Sequence, residues 1–508
     1  MVSDTAVAES GTQLQNFLDR AGFRGFPWKT AAILYTISWG WLFIVRDSLW
    51  SDDWEMFTTY KNLDFDLHGF APWYQYLVLT TEFLGPAFAR AIIFVAFFLA
   101  GLFMFGILHH FDLFTQRPNQ MFVLAFLILP FNTARISLMT FLYSVSYFVF
   151  FFAWYLLVRC KSQNLYLCSL ALFFLSFGMH SLLPFYLLPV LHKFLLSKAG
   201  RLRLLITFAR ANFVMLQLPV LYWGMRSIFW PAEVAYHEVS LPGLLKTTYF
   251  VLISGGLLVI FFVLQLKLKA KKQPLQLIFI GILCIFLGIY AYIIHGFFSP
   301  NGSFISEYIE TFLGRSDWYS RHQTLQPLGA ALVIVGVIGL LPKFVKKFIK
   351  QIQAFILAVC VVFNIGFGFE YVVDHSKQKE VINVLKGEGE SRLGSSYQFV
   401  DQTTLLNARG RAYRERDWKG LIWLAYGDES MQLSRVETTC ESPKDARLVL
   451  IQGPETHWQA LKNWVSDGDM GFKVTIDDTP GACKPELMQR EIVSGAIPIL
   501  FYFTGAKS

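Results

Sequence analysis

Long apolar runs recur along the first three quarters of the chain and fade in the last quarter. A helix that crosses a bilayer needs about 20 mainly apolar residues. Against that length the pattern predicts about eleven spanning helices, near 30–46, 87–108, 119–133, 137–158, 164–178, 181–197, 206–226, 243–266, 275–297, 325–342 and 351–373. The stretches 119–133 and 164–178 are short. Each is directly followed by another stretch, so losing either pair leaves the downstream orientation unchanged. Pro72–Phe83 reads differently: Trp73, Tyr76, Leu77 and Thr80 form one stripe, which predicts a helix lying along the membrane surface. The segment Met1–Phe26 is polar and lacks the apolar core of a cleavable signal peptide.

From His375 onward the pattern changes. Ala446–Ile451 and Phe472–Ile476 read as strands, and Ile497–Phe503 as a buried strand. Glu455–Val465 reads as a helix with Trp458, Leu461 and Trp464 on one face. Mixed element types predict a small α/β domain. The fold expected is an α-helical polytopic membrane domain, residues 1–374, followed by a soluble α/β C-terminal domain, residues 375–508.

Composition supports this division. Of 508 residues, 54% are hydrophobic and 16% charged, with 51 Phe, whereas soluble domains carry roughly 25% charge. Disorder, collagen, coiled coil and a disulfide-dense secreted scaffold are excluded. Residues 375–508 hold 17 basic and 18 acidic residues, a soluble-domain density, which leaves 27 basic and 18 acidic in the rest of the chain. The strongly basic loops (Arg159/Lys161, Lys193–Arg203, Lys267–Lys272, Lys343–Lys350) all fall on one side of the predicted spans. That side is cytoplasmic. The N-terminus is then cytoplasmic, and the C-terminal domain lies outside with the loop after the first span. The net charge of +8 follows from these loops and gives no reason to invoke nucleic acid.

Cys160, Cys168, Cys284 and Cys360 sit in or beside apolar runs and read as small core residues. Cys440 and Cys483 are the two cysteines of the outer domain, so a disulfide between them is expected if that compartment is oxidising. No zinc spacing, phosphate loop, dinucleotide fingerprint or GxSxG elbow is present.

Two polar segments carry candidate chemistry. Asp47–Trp54, DSLWSDDW, places Asp52 and Asp53 just outside the first span. A carboxylate there can act as a general base on an acceptor hydroxyl or bind a divalent metal. The structural alternative is a capping box, with Asp52 as the cap and Glu55 three residues on. Leu313–Pro327, LGRSDWYSRHQTLQP, gathers Arg315, Arg321 and His322 on the same face. Arginine makes bidentate contacts with phosphate, and the structural alternative is pairing with Asp317 or Glu310. Glu82, His180, Glu233 and Glu238 are candidate helpers; His237 and His295 read as structural.

Together, the acidic pair after the first span, the surface helix, the span count and the RSDWYSRH loop resemble the GT-C superfamily. The resemblance implies a polytopic glycosyltransferase using a polyprenyl-phosphate-linked sugar donor and a glycan or lipid-linked acceptor. It implies Asp53 or Asp52 as catalytic base or metal ligand, and Arg321 and Arg315, with His322 beside them, at the donor phosphate. It also implies a bacterial inner-membrane enzyme of surface polysaccharide such as O-antigen, with flippase and donor-synthesising partners. A polysaccharide polymerase or ligase, or a transporter, is the competing class.

Overall fold

The computed structural model describes residues 23–50, 53, 71–109, 116–131, 133–138, 141–159, 162–179, 182–196, 202–231, 273–296, 326–389, 396–408, 413–427, 435–437 and 447–477. The chain divides into two compact units. The first comprises Met1–Phe43 and Leu63–Ile365, the second Ile44–Asn62 and Gly366–Ser508. The division falls inside a helix, and the second unit takes in the loop after the first apolar run. No sequence pattern announced that grouping.

The first unit is helical. Helices stand at every expected span except 243–266, which lies outside the described residues. Among the described residues three helices are long and apolar enough to cross a membrane: Pro86–His109, Phe141–Arg159 and Ile349–Gly387. Local chemistry shortens several others. Pro130 follows the Gln116–Ile128 helix and disfavours helical backbone just before it. Pro184 opens a 3-10 turn, so the next helix starts only at Leu187. The expected 206–226 span is instead two helices, Leu202–Ala211 and Phe213–Phe229, separated at Asn212. The segment expected as a surface helix is helical over Pro72–Leu84. It buries Tyr74 against Gly178 while Tyr76 and Phe83 face outward.

Aromatic rings fill the space between these helices. Phe97 meets Tyr147 at 5.1 Å between ring centroids, and Phe150 meets Phe173 at 5.2 Å. Such edge and offset contacts add roughly 0.5–1.5 kcal/mol each beyond area burial. Glycine serves close approach at one pair of helices, Gln273–Gly296 and Gln326–Leu340. A methyl group on Gly281 would sit 2.6 Å from the Gly329 carbonyl oxygen, and one on Gly329 would sit 2.6 Å from the Gly281 carbonyl oxygen. Small residues at such contacts let backbones meet. Cys284 and Cys360 are buried as expected, whereas Cys168 is exposed.

The second unit takes the part of the helix Ile349–Gly387 that starts at Gly366. The 39 residues of the whole helix span about 58 Å at 1.5 Å per residue, against a hydrocarbon thickness of about 30 Å. Only its first half is apolar; from Asp374 onward it is polar and belongs to the soluble fold. The sheet contains β1 (Ser396–Asp401), β2 (Arg435–Glu437), β3 (Arg447–Gln452) and β4 (Lys473–Asp477) in the order β2-β1-β3-β4. β1 pairs in parallel with β2 and β3, and β4 is antiparallel to β3. The expected strands at 446–451 and 472–476 are β3 and β4; Ile497–Phe503 lies outside the described residues. Val373 of the long helix joins Leu406, Ala460, Met470 and Phe472 in the core, so the helix is part of this fold.

The expected helix at 455–465 forms over His457–Asp467. Thr456 caps it, its hydroxyl accepting the Gln459 N–H at 3.2 Å, and Gly468 ends it in the left-handed conformation. Its inward residues are His457 and Ala460, while Trp458 and Trp464 of the apolar stripe are exposed.

Candidate functional site

The acidic turn is local in origin. Asp53 is fully buried, and its Oδ2 accepts the Trp50 N–H at 3.1 Å while its own N–H donates to the Trp50 carbonyl at 3.1 Å. The same reciprocal arrangement opens the helix Glu415–Tyr426. There Asp417 Oδ2 accepts the Arg414 N–H at 2.7 Å and the Asp417 N–H donates to Arg414 O at 2.9 Å. An acidic residue reaching back three positions satisfies a backbone donor at a helix start. Asp53 thus makes a capping-type bond to Trp50, while the capping box expected of Asp52 with Glu55 falls on residues outside the described ones.

Three consecutive residues ahead of this turn are held by one face of the long helix. Ser48 Oγ hydrogen-bonds His375 Nδ1. Gln378 Nε2 donates to the Leu49 carbonyl at 3.1 Å. Trp50 Nε1 donates to Asp374 Oδ2 at 3.0 Å, and its ring meets Tyr371 edge-on at 5.4 Å. Positions 371, 374, 375 and 378 share a face because residues three and four apart are neighbours on a helix. This is the level at which the helix changes from apolar to polar.

The same stretch of helix is gripped by the C-terminal domain. Asp374 Oδ2 also accepts the Ala408 N–H at 3.1 Å, and Tyr413 donates its hydroxyl to Asp374 Oδ1. Lys377 is completely buried. Its ammonium pairs with Asp401 Oδ2 at 2.8 Å, donates to Asn407 Oδ1 and lies over the Tyr413 ring at 4.4 Å. Asp401 Oδ1 further accepts the Thr403 N–H at 2.8 Å and hydroxyl at 2.7 Å. Burial alone would raise the Asp401 carboxyl. The Lys377 charge and hydrogen bond, with those from Thr403, outweigh it and hold the group below the usual carboxylate range. Burial, reinforced by the Asp374 charge, pushes the Tyr413 phenol well above its ordinary value, so it stays a donor.

A separate polar cluster sits in the first unit. Arg135 is buried, with its guanidinium over the Trp39 ring and 4.7 Å from the Phe97 ring. Tyr35 donates its hydroxyl to the Phe94 carbonyl at 2.9 Å. Arg90, fully buried, donates to the Ile136 carbonyl at 3.4 Å.

Of the residues singled out in the sequence, the structure describes the side chain of Asp53. Asp52, Arg315, Arg321, His322, His180, Glu233, Cys440 and Cys483 lie outside the described residues, as does the Glu82 side chain. Among the described residues no group of three or more His, Cys, Asp or Glu could hold a metal ion. Asp374, Lys377, Asp401, Tyr413 and Arg135 were not foreseen. Their signal was weak: an Asp and a Lys three apart where an apolar run ends, and an Arg just after a short one. No family model, curated protein or solved structure matches the chain.

Proposed function

We propose that the chain is an integral-membrane glycosyltransferase that moves a sugar from a polyprenyl-phosphate donor to a glycan or lipid-linked acceptor. In this reading about eleven spans carry the chain across a bacterial inner membrane, with the N-terminus cytoplasmic and the C-terminal domain on the opposite face. One carboxylate of the Asp52–Asp53 pair takes the acceptor proton. Arg315 and Arg321, with His322, balance the charge that develops on the leaving phosphate. Inverting transfer in a single displacement fits this set, since no second carboxylate is assigned as nucleophile.

The observation that supports the reading best is the position of the acidic turn. It is docked where the long helix passes from apolar to polar sequence. A base for a substrate with a lipid tail and a polar head belongs at that level.

Asp52→Asn and Asp53→Asn test the assignment by transfer from a panel of polyprenyl-phosphate hexoses and pentoses in membrane vesicles. Asn at position 53 keeps an oxygen for the Trp50 N–H, so the turn survives. Loss of a general base lowers transfer by about 10²–10⁴-fold. Wild-type rates in both variants would overturn the assignment.

A further inference from the structure

The grip on the helix is two-sided, and Asp374 takes part in both sides. One of its carboxylate oxygens accepts from Trp50 of the loop and from Ala408 of the C-terminal domain; the other accepts from Tyr413 of that domain. Charge-assisted bonds of this kind are stronger than neutral ones, and a buried partner left unmatched is costly. Release of either side therefore weakens the seat of the other.

The neighbouring bonds follow the same division. Ser48 and Leu49 are held by His375 and Gln378 on the loop side, and Lys377 is held by Asp401 and Asn407 on the domain side. Residues of one helical turn thus alternate between two partners.

We propose that Asp374 is a positioning residue through which the C-terminal α/β domain sets the place of the acidic turn at Asp53. The domain is then a working part of the site. Its catalytic consequence rests on the glycosyltransferase reading above; the mechanical coupling stands without it. Coupling of this sort is reciprocal. Loosening the domain side of Asp374 must be felt at Trp50 and Asp53, and loosening the loop side must be felt at Ala408.

Hydrogen exchange followed by mass spectrometry on the full chain in detergent reads the coupling directly. Asp374→Ala should raise exchange at the Ser48 and Asp53 amides at least tenfold. Asp374→Asn should bring it back to within about threefold of wild type, because an amide oxygen still accepts N–H bonds. Tyr413→Phe removes one hydroxyl from the domain and should raise loop exchange at least threefold. Trp50→Phe should raise exchange at Ala408 by a similar factor.

If Asp374→Ala does not fold, the Tyr413→Phe and Trp50→Phe pair decides. Wild-type loop exchange in Tyr413→Phe, or in a folded Asp374→Ala, overturns the proposal whatever the transfer rate. A released loop with a fall in kcat and an unchanged donor KM supports both the coupling and the catalytic assignment. A released loop with wild-type transfer upholds the coupling and overturns the acidic turn as the base.

Discussion

Lys377→Met tests the internal electrostatics of the C-terminal unit. Met keeps the unbranched stem and the apolar volume and removes the ammonium. In the native chain that ammonium is fully buried, 2.8 Å from Asp401 Oδ2 and hydrogen-bonded to Asn407. Removing one partner of a buried ion pair typically costs about 3–5 kcal/mol. The figure here belongs at the lower end, about 3 kcal/mol, because Asp401 keeps two Thr403 donors and the Asn407 amide. That is roughly a 150-fold rise in the opening equilibrium.

The penalty must also depend on pH. In the wild type the folded pKa of Asp401 is depressed. Its contribution is present above the unfolded value of about 3.9 and is lost as pH falls through the folded value. Without Lys377 the charge that lowers this pKa is gone, and burial, which raises it, dominates. The variant then binds a proton on the folded side more readily, so its penalty shrinks as pH falls from 7 toward 5. Asp401→Asn in the Lys377→Met background should recover part of the loss for the same reason. The assay is hydrogen exchange at the β1 amides, corrected for intrinsic rates at each pH. A penalty below about 1 kcal/mol, or one that is flat with pH, would refute the argument.

Two further perturbations follow from the packing. Burial pushes the His457 imidazole down to about 4, against about 6.5 unfolded. The unfolded chain binds more protons between those values, so this contribution is full above about pH 6.5 and declines toward pH 4. The decline is about 3 kcal/mol, and His457→Gln should flatten it in the same exchange measurement. Gly329→Val places a side chain against the Gly281 carbonyl oxygen, 2.6 Å from its Cβ. Overpacking of this kind costs about 1–3 kcal/mol and should lower the aggregation temperature in detergent, whereas Gly366→Ala, with open space around its Cβ, should not.

Apolar run length and turn chemistry carried most of the local structure. Pro86–His109 and Phe141–Arg159 were legible because long apolar helices need no partner to be recognised, and β3 and β4 because their apolar runs are bounded by polar turns. The errors were at breaks that span-length averaging hides, such as Pro130, Pro184 and Asn212. The Trp stripe on His457–Asp467 did not say which face of that helix is buried: Trp458 and Trp464 are exposed, and His457 and Ala460 face inward.

The junction at Asp374 was illegible on stricter physical grounds. Trp50 and Asp374 are 324 residues apart, and Lys377 and Asp401 are 24 apart on different elements, so no local spacing encodes either pair. In isolation Asp374, Lys377 and Gln378 read as the solvated start of a polar helix. What buries them is a loop from the other end of the sequence on one side and the turns after β1 on the other. Asp53 shows the same principle at short range. Its carboxylate accepts the Trp50 N–H, and the Trp50 indole is in turn held by Asp374 of the long helix. The acidic pair could therefore be located from sequence, while the bond that Asp53 makes required knowing where Trp50 is held.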